Sequence, residues 1–254
     1  MLEARGLTKY YSAIPAVKDL SFRLEPGGVV GLLGPNGSGK STTVAILAGL
    51  LEPSGGQVLL SGEDVSSNLL EYKTKVGYVP EDSVLYTYLT GPEYLMLVGN
   101  LRGIPPAILR ERIDRFLRLF NLQDDVEAPM SAYSKGMRQK ILISAALLHN
   151  PRLIILDEPN SGLDVTTTLV LRSLVRTLAA EGRMIVYSSH VLEAIEQIAT
   201  DVIILHQGRV VAHDSVERLR SLMALPSLEQ VFRTLVIETD IDRVAQDLVD
   251  VMKH

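Results

Sequence analysis

The residues best suited to chemistry lie in three short clusters. The first, Gly34-Pro35-Asn36-Gly37-Ser38-Gly39-Lys40-Ser41, sets a pair of glycines ahead of Lys and Ser. Such glycines let successive backbone N–H groups turn inward around phosphate oxygens, and a helix opening near Ser41 adds the positive end of its dipole. In that setting Lys40 neutralises β- and γ-phosphates and the Ser41 hydroxyl ligates Mg²⁺. Asn36, Gly37, Ser38, Gly39 and Thr42 complete the expected binding set.

The second cluster is Asp157-Glu158-Pro159, which ends the apolar run Leu153-Ile154-Ile155-Leu156. Adjacent carboxylates beside buried chain are unfavourable unless they have partners. Side chains alternate along a strand, so the two acids take different tasks: Asp157 holds Mg²⁺ through its water shell, and Glu158 activates the water that attacks a γ-phosphate. The third is His190, after Val186-Tyr187-Ser188-Ser189. It is placed to hydrogen-bond the γ-phosphate or the attacking water rather than to ligate a metal.

These clusters need a scaffold, and the chain supplies one. Short apolar runs at Val29–Leu33, Val76–Val79, Leu153–Leu156, Met184–Tyr187 and Val202–Leu205 alternate with helical patterns, the mark of an α/β fold with a mostly parallel sheet. Gln57–Leu60 and Arg209–Ala212 read as hairpin partners, bounded by Gly55-Gly56, Ser61-Gly62 and Gln207-Gly208. Lys40, Glu81, Asp157 with Glu158, and His190 each follow a strand within a few residues, so an open parallel sheet gathers them along one edge. Residues 82–150 read as a helical insertion, with apolar residues at helical spacing over Glu93–Arg102, Ala107–Asn121 and Ser134–His149. Beyond a phosphate-loop domain of residues 1–225, residues 226–254 read as a helical extension. One stripe runs Leu228, Val231, Phe232, Leu235, Val236 and a second Ile241, Val244, Leu248, Val251. A helix pair docked on the core is the plain reading; a dimerisation or regulatory role is the alternative.

Composition narrows the classes. The chain has 254 residues and a net charge of -5, which gives no general attraction to nucleic acid or anionic lipid. It has no Cys, which excludes disulfides and cysteine metal sites. No run approaches the ~18 apolar residues of a membrane span, and the N-terminus shows no secretory pattern. A cytosolic protein without direct membrane insertion is expected.

Taken together, these residues resemble the nucleotide-binding subunit of ATP-binding cassette (ABC) transporters over roughly residues 2–225. Gly34–Ser41 looks like the Walker A loop and Leu153–Glu158 like the Walker B strand. Ser134-Lys135-Gly136-Met137-Arg138-Gln139 resembles the family signature motif, and Ser161-Gly162-Leu163-Asp164 its D-loop. His190 matches the switch histidine and Glu81 falls at the Q-loop position, beside the metal. Tyr11, ahead of Ala16-Val17, matches the aromatic that stacks on adenine, and Val17 joins the nucleotide contacts. The resemblance implies a P-loop ABC-ATPase fold with an antiparallel β subdomain. It also implies ATP and Mg²⁺ as ligands, and ATP hydrolysis coupled to separate membrane permease subunits at the cytoplasmic face of the membrane.

Ser134 is a candidate helix cap and Gly136 leaves the backbone open, so that helix start is a second anion site. The resemblance implies that it closes on the ATP of a second subunit in a head-to-tail dimer. A homodimer is expected and a heterodimer stays open. Three departures stand out: Glu81 replaces the usual Gln, Lys135 and Met137 replace Gly and Gln, and Asn160 replaces Thr. The Ser-Lys-Gly-Met form is closer to ATPases paired with exporter-type permeases. The segment Val84–Leu89 could supply aromatic anchors for the permease or pack the insertion onto the sheet. A soluble ABC-type ATPase acting on DNA or ribosomes is the competing class, and a P-loop kinase or switch GTPase would leave Ser134 and His190 without a purpose.

Overall fold

A computed structural model describes residues 1–81, 85–236 and 251–252. In chain order its elements begin β1 (Leu2–Tyr10), β2 (Pro15–Leu24), β3 (Val29–Leu33), α1 (Lys40–Leu47), β4 (Gly55–Leu60), β5 (Glu63–Asp64), α2 (Leu69–Lys75) and β6 (Val76–Val79). Three helices come next: α3 (Gly91–Leu101), α4 (Pro106–Leu119) and α5 (Lys135–Leu147). The chain continues with β7 (Leu153–Asp157), α6 (Val165–Ala180), β8 (Met184–Ser188), α7 (Leu192–Ile198), β9 (Asp201–His206), β10 (Arg209–Ser215), α8 (Val216–Met223) and α9 (Leu228–Val236). Among the described residues the strands form two sheets. One has the order β2-β1-β4-β5, paired antiparallel throughout. The other has the order β10-β9-β3-β8-β7-β6, parallel except for β10 at its edge.

Every residue of β3, β7 and β8 is buried, because both faces of the parallel sheet are covered. The period of two sorts their side chains. Leu33, Ile154, Leu156, Ile185 and Tyr187 join one core with the helices α3 to α9. Leu32, Leu153, Ile155, Met184 and Val186 join a second core with α1 and the antiparallel sheet. Asp157 shares the parity of Leu153 and Ile155, so the end of β7 presents it on the α1 face. Gly31, in the middle of β3, lets α7 lie close: a Cβ there would collide with the Ile195 side chain.

The helical insertion forms as its apolar spacing predicts. α3 opens with a capping box in which the Thr90 side chain accepts from Glu93 N–H and the Glu93 carboxylate from Thr90 N–H, with Pro92 in the first turn. Pro105-Pro106 separates α3 from α4, which starts at Pro106 rather than Ala107 and ends at Leu119 rather than Asn121, where the backbone turns left-handed at φ 54°. Both hairpins also form: β9–β10 turns at Gln207-Gly208, and β4–β5 at Ser61-Gly62. At the C-terminus α9 docks on the first core through Leu228 and Val231, both fully buried. Each such side chain contributes about 1.5–3 kcal/mol, so the docking is firm. Of the second stripe, Ile241, Val244 and Leu248 lie outside the described residues, and Val251 is exposed.

Candidate active site

Register brings the clusters to one rim. Val79 pairs with Leu156, Asp157 with Ser188, and Leu32 with Ser188, so the carboxyl ends of β6, β7, β8 and β3 stand level. Beyond them opens a cleft of about 430 Å³, lined by Ala16, Asn36, Gly37, Gly39, Lys40, Ser41, Thr42, Glu81, Asp157, Glu158 and His190. Larger hollows exist elsewhere, one of about 890 Å³ near Glu3 and Arg23. None of those holds the sequence-predicted groups, so chemistry and not size selects this cleft.

The glycine loop leads from β3 into α1. Gly39 caps the helix at φ 105°, and a Cβ there would stand 2.5 Å from the Ala16 carbonyl oxygen. Its own carbonyl accepts from Thr43 N–H and Thr43 Oγ1, both at 2.9 Å. Gly37, at φ 78°, has open space where a side chain would be. Lys40 Nζ donates to the carbonyls of Gly34 at 2.6 Å and Pro35 at 3.2 Å. Burial lowers the Lys40 pKa, and the attraction of Glu158, Asp157 and Glu81 works against that shift. Val17, expected among the nucleotide contacts, is fully buried against Gly39; it supports the loop from below and offers no surface.

Asp157 and Glu158 do not point apart as uninterrupted strand alternation requires. Glu158 lies one residue past β7 in a left-handed backbone, φ 46°, which swings it into the same cleft as Asp157. That conformation costs about 1–3 kcal/mol in a residue with a Cβ. Its surroundings hold it there: Glu158 N–H donates to Ser188 O at 3.0 Å, and Ser161 N–H to Glu158 O at 3.0 Å. Its carboxylate pairs with His190 Nδ1 at 2.8 Å and accepts from Ser189 Oγ at 3.3 Å. The His190 side chain is 73% exposed, whereas that of Glu158 is 10% exposed. The imidazole thus faces incoming ligand while the acid sits behind it.

Sequence reasoning passed over two polar residues here. Ser189 bridges Glu158 and the backbone of Val191, from whose N–H it accepts at 3.1 Å. Gln139, fully buried in α5, donates from Nε2 to Pro159 O at 3.2 Å and so ties the Ser134 helix to the turn after Glu158. Gln139 stands between Arg138 and Lys140 in the charged first half of α5, so the local pattern did not mark it as buried.

Ser38, also expected to bind, is buried at the base of the loop with its Oγ unpartnered among the described residues and does not line the cleft. Three more expected residues lie elsewhere. Tyr11 stands 67% exposed in the turn from β1 to β2, with Lys9 Nζ 5.8 Å from its ring centre. Ser134 caps α5, accepting from Met137 N–H at 3.2 Å, and it does not line the cleft. Gly136 meets the D-loop, where an added Cβ would come within 2.5 Å of the Gly162 carbonyl oxygen. Asp164 of that loop caps α6, and its hydrogen bonds from Thr167 hold its pKa below the usual carboxylate value.

The donor set suits a magnesium ion. The Asp157 pKa stands at about 6, raised chiefly by burial and then by the charges of Glu81 and Glu158, against the lowering effects of the Ser188 hydroxyl and Lys40. Clustered acids of this kind favour a cation among them. Among the described residues no group of three or more His, Asp and Glu closes on a single metal position.

Comparison with known proteins decides the family. The sequence profile of the ABC transporter family matches residues 17–161. The chain belongs to the ABC transporter family. It is an ATP-binding cassette of that family, and an ATPase. The ABC transporter ATP-binding protein NatA of Bacillus subtilis (strain 168) is 34% identical over 225 residues, 88% of this chain and 92% of that protein. A solved ATP-binding subunit of an ABC transporter superposes with a TM-score of 0.87 at 34% identity, over 92% of this chain and 99% of that one. A dimeric cassette in a post-hydrolysis state, bound to ADP and Pi, superposes with a TM-score of 0.78 at 25% identity, over 85% and 98%. The cleft gathers the segments that resemble the family's Walker A and Walker B motifs with Glu81 and His190, and the Ser134 helix stands apart from it. No helix of the described residues is long and apolar enough to cross a membrane.

Proposed function

We propose that two copies of this chain close head to tail around two ATP molecules, each nucleotide lying between the Lys40 cleft of one copy and the Ser134 helix of the other. One observation carries this reading: the cleft assembles Lys40, Ser41, Glu81, Asp157, Glu158 and His190 but not Ser134 or Gly136, which leaves the Ser134 helix start available to the nucleotide of another subunit. The dimeric cassette bound to ADP and Pi supports it. The N–H groups of Gly37, Gly39 and Lys40 with the Lys40 ammonium bind the phosphates, and Tyr11 stacks on the base. Glu158 accepts a proton from the attacking water, and His190, held at Nδ1 by Glu158, presents its Nε2 side toward the γ-phosphate and the attacking water. Ser41, Asp157 and Glu81 would hold Mg²⁺, which when bound neutralises phosphate charge. Loss of the γ-phosphate removes the contact shared by both copies and reopens the dimer.

The cassette, residues 1–225 with the tail 226–254, drives separate permease subunits from the cytoplasmic face of the membrane. Support for docking comes from the segment after Glu81. Leu85 and Leu89 pack on the core, while Tyr86 and Tyr88 face outward with ring centres 6.0 Å apart; Val84 lies outside the described residues. Beside them, between the helical insertion and the sheet, runs a groove of about 390 Å³ that includes Leu50, Tyr78, Tyr94 and Leu101. Export is proposed on the Ser134-Lys135-Gly136-Met137 form of the signature. The test is Glu158→Gln with ATP and Mg²⁺: we expect tight ATP binding, hydrolysis slowed about 10²-fold or more, and a dimer on gel filtration. A monomer at saturating ATP, both alone and with the co-purified permease, would overturn the sandwich.

A further inference from the structure

His190 is exposed and lies in the short link between β8, which ends at Ser188, and α7. Val191 has no side-chain capping bond, and α7 begins at Leu192. The link is thus anchored on one side by β8 and on the other by α7, and the seat of α7 is the support farther from Glu158. The inner face of α7, Ala194, Ile195 and Ile198, is buried, and Ile195 presses against Gly31 of β3. Its outer face carries two polar residues that reach three other helices. Gln197 accepts from Arg172 through its side chain and from Arg176 at 2.8 Å through its carbonyl; both arginines lie on α6, the helix capped by D-loop Asp164. Glu196 accepts from Arg220 Nη1 of α8 at 3.2 Å and from the first N–H of α9, Leu228, at 3.4 Å. A carboxylate at that helix start is stabilised by the helix dipole as well as by the arginine.

We propose that Glu196 is a positioning residue for hydrolysis: by fastening α7 to α8 and α9 it fixes His190 against Glu158, and the C-terminal helix thereby tunes the ATPase. The inference rests on the role given to His190 above. Glu196 touches neither the cleft nor any reacting atom, so its effect must pass through the α7 backbone.

The test is Glu196→Ala in the full-length chain, alone and combined with His190→Ala, read by single-turnover ATP hydrolysis and by ATP titration. Loss of hydrogen bonds to one charged group is expected to lower kcat about 3–10-fold with KM for ATP changed less than about twofold. In the His190→Ala background the same substitution should change the residual rate by less than about 1.5-fold, because the group it positions is gone. Glu196→Gln, which keeps an acceptor for Leu228 N–H, should restore part of the rate. An equal drop in both backgrounds, or a fall in thermal stability with kcat unchanged, makes Glu196 merely structural and overturns the proposal. Full hydrolysis by His190→Ala alone would instead overturn the role of His190, and this inference with it.

Discussion

Replacing Gly136 by Ala tests the second anion site with a perturbation whose size can be worked out. The added Cβ would stand 2.5 Å from the Gly162 carbonyl oxygen, against 3.4 Å or more in ordinary contact, so one backbone must retreat by about 0.9 Å. Neither can do so freely. Gly162 is at φ 78° with the Lys135 side chain packed on its other side, and Ser161 N–H donates back to Glu158 O. Overpacking of this kind destabilises by about 1–3 kcal/mol, visible as a lower urea midpoint at unchanged slope. A displacement near 1 Å at a phosphate-binding helix start can slow hydrolysis about 10²-fold. ATP binding to the Lys40 cleft, measured on the monomer with a fluorescent analogue, should be unaffected, because Gly136 does not line it. Ser134→Ala is the companion variant: it removes the acceptor for Met137 N–H, worth about 1 kcal/mol, without any clash. Wild-type turnover and stability in Gly136→Ala would refute both the close contact and the role of this helix. Loss of binding by the monomer would show that the two phosphate sites had been wrongly separated.

Three further outcomes are expected. Glu81→Ala should raise the Mg²⁺ concentration for half-maximal ATPase about tenfold by deleting one ligand; an unchanged titration would remove Glu81 from the metal. Glu at both Tyr86 and Tyr88 should abolish permease co-purification and leave basal ATPase within about twofold, whereas lost hydrolysis with intact association would reverse the assignment. His149 provides a pH dependence away from the cleft. Burial, with Arg102 and Arg112 nearby, lowers its pKa from 6.5 to about 4 against a bond to Val76 O at 3.0 Å, and its buried Nδ1 has no partner among the described residues. The folded state thus favours the neutral ring. Its contribution is complete above pH 6.5 and is lost progressively as the pH falls toward 4, by about 1 kcal/mol at pH 5 once partial exposure is discounted. His149→Gln keeps an Nε2 donor but cannot titrate, so urea midpoints at pH 7 and pH 5 should fall less for the variant than for the wild type. A parallel fall in both would show that the ring is not held neutral.

How far the sequence foretold this molecule depended on whether a residue's environment was local. β3, β7 and β8 are covered on both faces and read as unbroken apolar runs. β1 and β2 gave no such signal. Their register slips at several points, and β1 points Glu3 inward, where it is 4% exposed and held by Arg5 at 2.5 Å; a charged inward position hides a strand from a hydropathy pattern. The rim was legible because every parallel strand delivers its following residue to the same edge. The shared direction of Asp157 and Glu158 was not, since nothing in the composition of Asp157-Glu158-Pro159 announces a left-handed residue where β7 stops. Gln139 and Ser189 were missed for a related reason: each acts by touching a residue 20 and 31 positions away, respectively.

The left-handed turn at Glu158 links these observations. A general base must sit at a fixed distance from a nucleophile that arrives with the nucleotide, and a strained backbone persists only where its neighbours over-determine it. Four structural units converge on this turn: β8 through Ser188 O, α5 through Gln139 on Pro159, the D-loop through Ser161 N–H, and the start of α7 through Ser189 and His190. Two of them, α5 and the D-loop, also carry the contact between Gly136 and Gly162 that we place at the edge shared by the two copies. Closure of the proposed dimer would therefore act on the same elements that hold the proposed base. In the proposed sandwich, a Ser134 helix seated on the partner's nucleotide would bear, through Gln139 and Gly162, on the turn that aims its own subunit's Glu158, which would let occupancy of one cleft be felt in the other.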